Sequence, residues 1–199
     1  MTRTMRVFAP AALALVVMAW TALPASAATG DPDTTFGGTG KVRTDFAGQF
    51  DIARDVLVQP NGRILVAGQA LTGATSDSAD FGLARYLDNG DPDTSFSGDR
   101  LQQTDFGGLG DTAEAVVRQD NGSIVAAGSS STSESESRFA VARYGSGGVL
   151  DTSFSGDGKA RTAFPGSFTA SALDVAVTGD GKVVAVGAAT AAMRRASAT

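Results

Sequence analysis

Two short acidic turns carry the clearest candidates for binding chemistry in the sequence. Asp31-Pro32-Asp33 and Asp91-Pro92-Asp93 each place two carboxylates two residues apart, beside glycine-rich segments. Carboxylate oxygens in loops are ligands that Ca²⁺ prefers. The sequence therefore predicts a calcium site at Asp31, Asp33, Asp91 and Asp93, although neither turn has the spacing of an EF-hand loop.

The same aspartates have a structural alternative. The third copy of the turn reads Val149-Leu150-Asp151, so it lacks the first of the two carboxylates. An aspartate in a turn often accepts hydrogen bonds from the backbone two residues further on. Asp33, Asp93 and Asp151 are therefore also expected to form turns without an ion, and the simpler expectation is that the protein has no cofactor.

The residue types exclude most catalytic arrangements. The chain has no histidine and no cysteine, which excludes imidazole bases, thiol nucleophiles and the usual zinc sites. Its only glutamates are Glu114, Glu134 and Glu136, and the last two lie in a serine-rich segment where a burial-raised pKa is not expected. We predict no catalytic residues and no enzyme activity, with a carboxylate-based extracellular hydrolase as the alternative.

Arg85 and Arg143 occupy the same position in a recurring Ala-Arg-Tyr segment. Two arginines that face a common channel could bind an anion or a carboxylate. The alternative is that each arginine pairs with a neighbouring aspartate and packs its stem on Tyr86 or Tyr144. Because the arginine is present in each complete copy, the sequence favours this stabilising role.

Residues 1–27 have the pattern of a secretory signal peptide. Arg3 and Arg6 precede an apolar run from Val7 to Leu23, and Ala25-Ser26-Ala27 forms a small-residue cleavage site. We therefore predict a secreted or extracytoplasmic protein that is cleaved after Ala27. Cleavage leaves 14 positive and 21 negative charges, a net charge of −7.

The net negative charge affects which partners the protein can bind. Nucleic-acid binding depends on clustered basic residues that neutralise phosphates, whereas this chain has three lysines and scattered arginines. After the signal peptide no apolar run approaches the roughly 18 residues that a membrane span needs. We expect neither nucleic acid nor a membrane as partner of the mature protein.

The remainder of the chain repeats, with Asp33, Asp93 and Asp151 at spacings of 60 and 58 residues. Four landmarks recur in the same order: an Asp-Thr-Thr/Ser-Phe motif at 33–36, 93–96 and 151–154; a Thr-x-Phe motif at 44–46, 104–106 and 162–164; an apolar hairpin at 56–68, 116–128 and 175–187; and an Ala-Arg-Tyr segment at 80–86 and 138–144. Such a period is typical of repeat architectures.

Each unit divides into short extended segments, which in the first unit are Lys41 to Phe46, Ala53 to Gln59, Arg63 to Gln69 and Asp80 to Tyr86. An Asn-Gly or Asp-Gly dipeptide, as at Asn61-Gly62, predicts a hairpin with a type I′ turn between the second and third segments. Continuous apolar runs such as 64–67 and 183–186 predict strands that are covered on both faces.

These features together predict an all-β fold. Four antiparallel strands per unit with covered inner strands are typical of propeller blades stacked face against face. The prediction is an incomplete β-propeller of about three four-stranded blades, the third lacking its last strand because no Ala-Arg-Tyr segment follows residue 187. Its domains are a signal peptide (1–27), blade 1 with a leading turn (28–90), blade 2 (91–148), a partial blade 3 (149–188) and an unstructured tail (189–199).

The repeated motifs also resemble a known family. DTTFGGTG (33–40), DTSFSGDR (93–100) and DTSFSGDG (151–158), together with the hairpins and the Ala-Arg-Tyr segments, are similar to the delta-60 repeat, a bacterial β-propeller family of unassigned function. The resemblance covers nearly all of residues 31–188. It implies a β-propeller fold and supplies no catalytic residues.

From this architecture we expect an exported scaffold for binding or interaction, with an unknown ligand. The end blades would expose apolar faces, which favour a protein partner or self-association, for example two chains that close a six-bladed ring. The alternatives are a non-functional or partner-dependent fragment of a longer propeller, and the hydrolase considered above.

Overall fold

Residues 30–46, 50–73, 75 and 78–191 are described by the computed structural model of the chain. The chain divides into two compact units, Met1–Asp31 and Pro32–Thr199, and every strand below belongs to the second unit. The predicted signal peptide (1–27) and residues 192–199 of the predicted tail lie outside the described residues.

The described part of the second unit consists of one 3-10 turn, Phe36–Gly38, and ten strands. The strands are β1 (Asp51–Val58), β2 (Ile64–Leu71), β3 (Ala79–Tyr86), β4 (Leu101–Thr104), β5 (Asp111–Arg118), β6 (Ile124–Ser133), β7 (Glu136–Tyr144), β8 (Lys159–Thr162), β9 (Ser167–Val177) and β10 (Val183–Ala191). Within the described ranges, no helix has the length and apolar character needed to cross a membrane.

The strands form three antiparallel sheets in the described part of the chain. The first sheet has the order β1-β2-β3-β4, the second has the order β5-β6-β7-β8, and the third consists of β9 and β10. Strands that are consecutive in the sequence are neighbours in each sheet, as expected for antiparallel hairpins. The predicted all-β fold is confirmed. The third blade, predicted to lack only its last strand, has two strands in the described residues, because β8 pairs with β7 of the second sheet.

The strand pairing does not follow the predicted unit boundaries. β4 comes after the second copy of the Asp-Thr-Ser-Phe motif, yet it pairs with β3 of the first sheet, with Thr104 opposite Phe81. β8 pairs with β7 in the same way, with Thr162 opposite Phe139. The boundaries predicted after residues 90 and 148 therefore fall inside the first and second sheets, because a repeat reveals its period but not which strands pair.

The predictions for the first strand of the first unit and for the start of the C-terminal tail are also wrong. Residues 41–46, predicted as the first strand of the first unit, form no strand in the structure. Residues 41–46 are the counterpart of β4 and the residues after it. β4 pairs with the sheet that precedes it in the chain, whereas in the described residues no sheet precedes residues 41–46, so they have no strand partner there. At the other end β10 continues to Ala191, past the predicted start of the unstructured tail at residue 189.

The predicted hairpins are confirmed, but their turn type is different. In the first hairpin Gly62 N donates to Gln59 O at 2.9 Å, and Gln59 N donates to Arg63 O at 2.8 Å. Gly62 has a φ of 81°, whereas Asn61 does not have a positive φ. A type I′ turn needs positive φ at both positions, so this loop is a tight turn closed by a left-handed glycine.

Two apolar layers hold the three sheets together. The layer between the first and second sheets contains Leu65, Ala67, Phe81, Leu83, Phe96, Phe106, Ala113, Val116, Ile124, Ala126, Ala140, Ala142 and Tyr144. The layer between the second and third sheets contains Ala115, Val125, Ala127, Phe139, Ala170, Ala172 and Val175. β6 contributes alternate residues to both layers, which confirms for this strand the prediction of coverage on both faces. The prediction is wrong for the run 183–186, where Val184 and Val186 are exposed, because the third sheet has a neighbouring sheet on one side only.

A glycine in each hairpin permits close contact with a bulge in the facing strand. Gly128 lies opposite Ala113, where the register of β5 shifts before Ala115. A Cβ atom on Gly128 would lie 1.9 Å from the carbonyl oxygen of Thr112. Gly68 and Gly187 have the same surroundings, so the three bulges require residues without a side chain.

Replacement of this glycine tests the bulge. Gly128→Ala forces a methyl group against the backbone of β5, and overpacking of this kind lowers the free energy of unfolding by about 2–3 kcal/mol. Chemical denaturation followed by circular dichroism measures the change. Gly147→Ala is the matched control, because a Cβ there has no atom within 4 Å; equal stability losses in the two variants would contradict the close contact.

Candidate functional site

A buried ion pair holds the recurring Asp-Thr-Ser-Phe turn. Arg85, on β3, donates from Nε to Asp93 Oδ2 at 2.8 Å, and the two side chains are only 4% and 5% exposed. The guanidinium lies 4.6 Å from the centroid of the Phe96 ring. It also donates to the carbonyl oxygen of Ser146, after β7, at 2.6 Å. Arg85 therefore connects the first sheet to the second.

The second copy of this arrangement is more open. Arg143 Nε donates to Asp151 Oδ2 at 2.8 Å, the guanidinium lies 4.9 Å from the centroid of Phe154, and the paired side chains are 22% and 27% exposed. The predicted pairing of each recurring arginine with an aspartate is confirmed. The aromatic partner is a phenylalanine, whereas the sequence had suggested Tyr86 or Tyr144.

The aspartates of the recurring motif form turns, as the structural alternative predicts. Asp33 Oδ1 accepts hydrogen bonds from the backbone and hydroxyl of Thr35 at 3.0 and 2.6 Å. Asp93 Oδ1 accepts the same pair of bonds from Ser95 at 3.1 and 2.6 Å. Each carboxylate closes its own turn, a function that requires no ion.

The other residues of the predicted calcium site have different surroundings. Asp91 Oδ2 accepts from the side-chain amide of Asn89 at 2.8 Å. Asp31 is exposed and belongs to the unit Met1–Asp31. Calcium binding at Asp31, Asp33, Asp91 and Asp93 stays a prediction.

The electrostatics of the turn favour an ionised Asp93. Burial acts to raise the pKa of Asp93, but the hydrogen bonds from Ser95 and the charge of Arg85 outweigh it and hold the pKa below its usual value. Arg63 adds a second cation, with its Nε 3.0 Å from Asp93 Oδ2. Folding therefore favours the ionised form of Asp93, and the ionised side chain stabilises the folded state at neutral pH.

The first sheet has an apolar outer face, defined here by Ala53, Val56, Ile64 and Val66. Val56 is 61% exposed, whereas its counterpart in the second sheet, Val116, is 7% exposed. The four counterparts in the second sheet are Ala113, Val116, Ile124 and Ala126, and all belong to the layer between the sheets. The outer face therefore has the composition of a sheet-to-sheet interface.

Residues 36–46 lie over part of this outer face and border a cavity of about 450 Å³. The hydroxyls of Thr44 and Tyr86 form a hydrogen bond there. In the second sheet Tyr144 donates the equivalent hydrogen bond to Thr104, at the end of β4, at 2.9 Å. Residues 41–46 therefore occupy the place that the last strand of a neighbouring sheet occupies on the second sheet.

The third sheet exposes a second apolar face, defined here by Leu173, Val184 and Val186. Val184 and Val186 are 45% and 55% exposed. Their counterparts in the second sheet are Val125 and Ala127, which are fully buried against the third sheet. The exposed face of the third sheet thus corresponds to the side of a sheet that packs against the next one.

Three acids meet where the first sheet joins the second. Asp80 lies on β3, Asp105 follows β4 and Asp111 begins β5, and carboxylate oxygens of the three lie within 4.8 Å of one another. Asp111 is fully buried, and its Oδ2 accepts from Phe106 N at 2.7 Å. Sequence analysis missed this acid cluster because its members are separated in the chain and have no common motif.

Burial and mutual repulsion shape the electrostatics of the acid cluster. Burial, together with the charges of Asp105 and Asp111, raises the pKa of Asp80 to about 6. Burial also raises the pKa of Asp111, although hydrogen bonds from the backbone of Phe106 and the hydroxyl of Ser130, together with the charge of Arg161, act in the opposite direction. The cluster therefore holds more negative charge than the neighbouring residues neutralise.

Comparison with known families identifies the repeats. The family described as Domain of unknown function (DUF5122) beta-propeller matches residues 59–96 and 119–154. Each match extends from the hairpin loop to the phenylalanine of the Asp-Thr-Ser-Phe motif. The resemblance to the delta-60 repeat is confirmed, since that is a related name for these repeats, and the two matched segments are similar to a β-propeller domain of unknown function. A comparison with curated proteins gave no match.

Neutralisation of Asp93 tests the buried ion pair. Asp93→Asn leaves the buried charge of Arg85 without its counter-ion, so we expect the free energy of unfolding to fall by about 3 kcal/mol. Denaturant unfolding at pH 7 measures the loss. Asp151→Asn is the matched control, and we expect a smaller loss because that pair is more exposed.

The pH dependence of stability in the wild type and Asp93→Asn tests the direction of the pKa shift of Asp93. Since the pKa of Asp93 is lowered by folding, its contribution is present above the unfolded value of about 4 and is lost as the pH falls through the folded value. The stability gap between wild type and Asp93→Asn should therefore narrow at acidic pH. A gap that widens on acidification would contradict the assigned shift.

Proposed function

We propose that this β-propeller-type protein is an exported interaction scaffold and that its partner is a second copy of the same chain. The observation that carries the proposal is the pair of apolar end faces. The outer face of the first sheet and the exposed face of the third sheet are both built like faces that pack against each other inside the protein. Contiguous exposed apolar surface of this kind favours a protein partner.

The repeat specifies how two copies would meet. Inside the chain, the face containing Leu65 and Ala67 packs against the face containing Val116 and Ile124. Val184 and Val186 are the counterparts of Leu65 and Ala67. The outer face of the first sheet is the counterpart of the face that contains Val116 and Ile124. The third sheet of one copy therefore fits the first sheet of the next, in a head-to-tail contact that can close into a ring.

A polar contact supports the same orientation. Between the first and second sheets, Asp55 Oδ2 accepts a hydrogen bond from Val116 N at 2.8 Å. Asp174 occupies the position of Asp55 in the third sheet and is exposed. In a head-to-tail pair, Asp174 of one copy would face Val56 N of the next, which within its own chain donates to Asp55 Oδ1 at 2.7 Å, so the equivalent hydrogen bond would be shared with or taken over from Asp55.

Export is the other part of the proposal, and residues 1–27 support it. They combine a basic start, an apolar run and the small-residue site Ala25-Ser26-Ala27, the three features of a secretory signal peptide.

The hydrolase alternative has less support from the described residues. Glu114 faces Arg54, with 3.8 Å between Glu114 Oε2 and Arg54 Nε. Glu136 is exposed and begins β7, beside the hydroxyl of Thr132. These glutamates take part in separate local contacts, whereas glycoside hydrolysis needs two carboxyl groups that converge on one bond. Carboxylates do converge at Asp80, Asp105 and Asp111, but Asp111 is fully buried.

Complementary variants test the head-to-tail contact. Val56→Asp and Val184→Asp each place a charge in one half of the contact, so each purified mature variant should be a monomer in sedimentation equilibrium. Both valines are exposed in the single chain, so folding should persist. A mixture of the two variants restores one intact pair of faces and should give a heterodimer, while the wild type forms a closed or longer assembly.

Val149→Asp is the control for an added charge on an exposed valine. Val149 is 65% exposed, and its counterpart in the preceding repeat is Asp91, so aspartate suits the position. This variant should assemble like the wild type. A wild type that stays monomeric at high concentration, or a mixture of the first two variants that stays monomeric, would overturn the proposed partner.

The mass of the exported protein tests localisation. In a bacterial host with a working secretion pathway, the protein recovered outside the cytoplasm should begin at Ala28, as intact-mass spectrometry shows. Ala27→Leu removes the small residue before the cleavage point and should block processing, whereas Ala28→Ser should process normally. Recovery of the full-length wild-type chain in the cytoplasm alone would contradict export.

A further inference from the structure

A cavity lies beside one edge of β10, between the second and third sheets. In the described part of the chain β10 pairs with β9 alone, whereas its counterparts β2 and β6 each have a neighbouring strand on both edges. The cavity has a volume of about 580 Å³, and its walls include Phe139, Phe154, Thr162, Phe164, Val183 and Ala185. We call it the edge cavity.

The joint between the first and second sheets shows what fills the equivalent place. There β7 pairs with β6, and Ala140, Ala142 and Tyr144 of β7 belong to the apolar layer that faces the first sheet. β10 is the counterpart of β6, and its Val183 and Ala185 pack against the layer between the second and third sheets. The edge cavity therefore occupies the place that a strand of the β7 type fills at the other joint.

The side chains that cover β7 have counterparts in the wall of the edge cavity, and these counterparts are uncovered. Phe106 is 5% exposed, whereas its counterpart Phe164 is 37% exposed. Thr104 is buried and accepts the hydroxyl of Tyr144 at 2.9 Å, whereas its counterpart Thr162 is exposed. The wall thus keeps the apolar surface and the hydroxyl that receive a strand with a terminal tyrosine.

The recurring arginine shows the same difference. At the joint between the first and second sheets, Arg85 Nη1 donates to the carbonyl oxygen of Ser146 at 2.6 Å, and the arginine is 4% exposed. Ser146 is the second residue after Tyr144, the last residue of β7. Arg143 lines the edge cavity and is 22% exposed. A strand of the β7 type in the cavity would bring the equivalent carbonyl to Arg143.

A backbone contact after the tyrosine recurs at two joints. Gly37 N donates to Asn89 O at 2.8 Å, and Ser97 N donates to Gly147 O at 2.7 Å. Ser155 is the counterpart of both donors; it is exposed, and its φ of 54° is close to the 52° of Ser97. Its N–H is therefore oriented for a carbonyl in the turn that follows an added strand.

We propose that the edge of β10 binds one extended segment of another polypeptide, with the pattern Phe-Ala/Gly-Leu/Val-Ala-Arg-Tyr that β3 and β7 share. The segment adds to the third sheet as its third strand, antiparallel to β10. The register of β6 with β7 places its tyrosine opposite Val183, its arginine opposite Val184 and the preceding alanine opposite Ala185. Backbone hydrogen bonds at the edge provide affinity, and the cavity selects small residues at alternate positions.

This binding is separate from the head-to-tail contact, which uses the exposed face of the third sheet around Val184 and Val186. It also differs from a contact made by the last residues of the chain, because residues 192–199 do not contain the pattern. The occupant is therefore a strand from a second polypeptide that carries the repeat motif.

A peptide titration tests the binding. The probe is a fluorescently labelled synthetic peptide with the sequence of residues 136–148, and the host is the purified mature Val56→Asp variant. Val56 lies in the first sheet, away from the edge cavity, and its substitution keeps the result independent of self-association. Fluorescence anisotropy should saturate at one peptide per chain. No saturable binding at millimolar peptide would overturn the proposal.

A bulkier peptide distinguishes the edge cavity from a general apolar surface. A peptide with Ala140→Leu and Ala142→Leu is more apolar, but its side chains overfill the layer, so it should bind roughly tenfold more weakly or worse. The two alanines are fully buried at the joint between the first and second sheets, which is the reason for this expectation. Tighter binding of the leucine peptide would overturn the proposal.

Host variants locate the peptide. Thr162→Val removes the acceptor of the tyrosine hydroxyl and should weaken binding roughly threefold to tenfold. Thr152→Val is the matched control: Thr152 is exposed and does not line the edge cavity, so this variant should bind like the parent. Equal affinities of the two variants would contradict the assigned hydrogen bond.

Nuclear magnetic resonance gives the position directly. In the complex we expect a nuclear Overhauser effect between the peptide tyrosine ring and the Thr162 methyl group. Peptide contacts confined to the outer face of the first sheet would overturn the proposal. So would contacts of residues 192–199 with Val183 and Ala185 in the protein before peptide is added, since the chain itself would then fill the place.

Discussion

The central strand of the second sheet imposes the constraint on which this structure depends. β6 is apolar on both faces, and Ile124, Val125, Ala126 and Ala127 are all fully buried. A strand of this composition buries its apolar surface fully when a sheet covers each face. The stack of three sheets follows from that requirement, and so does the exposed apolar surface at both ends, because the same strand pattern recurs in the outer sheets without a cover on each face.

The connections between sheets carry the polar chemistry. The last strand of each four-stranded sheet comes from the next sequence unit, so the chain crosses from one sheet to the next just after β4 and after β8. The connection from β3 to β4 brings the turn of Asp93 next to Arg85, the pairing of β3 with β4 brings Asp105 next to Asp80, and the crossing after β4 adds Asp111. The ion pair stabilises the turn at one end of the joint, and the acid cluster concentrates negative charge elsewhere in the joint.

The sequence was sufficient for the features that local patterns determine. Apolar runs predicted where the strands lie, although the run 183–186 is covered on one face only, since Val184 and Val186 are exposed. The expected pairing of each recurring arginine with a neighbouring aspartate was correct, and that aspartate lies in the next predicted unit. The sequence did not predict which strands pair with one another. Residues 41–46 and 101–106 have the same pattern, but only the second segment contains a strand that pairs with a neighbour. The dipeptide Asn61-Gly62 is compatible with more than one type of turn, so it did not determine the turn type. The acid cluster was missed because Asp80 and Asp105 are 25 residues apart and meet only through the β3–β4 pairing.

The stacking of the sheets can be tested through a single contact between them. The chain has two tyrosines, so a sample in which only tyrosine rings and methyl groups are protonated gives a simple aromatic spectrum. Tyr144 on β7 of the second sheet lies 2.9 Å, hydroxyl to hydroxyl, from Thr104 on β4 of the first sheet. We expect a nuclear Overhauser effect between the Tyr144 ring and the Thr104 methyl group. Ring contacts confined to the second sheet would contradict the stacked arrangement.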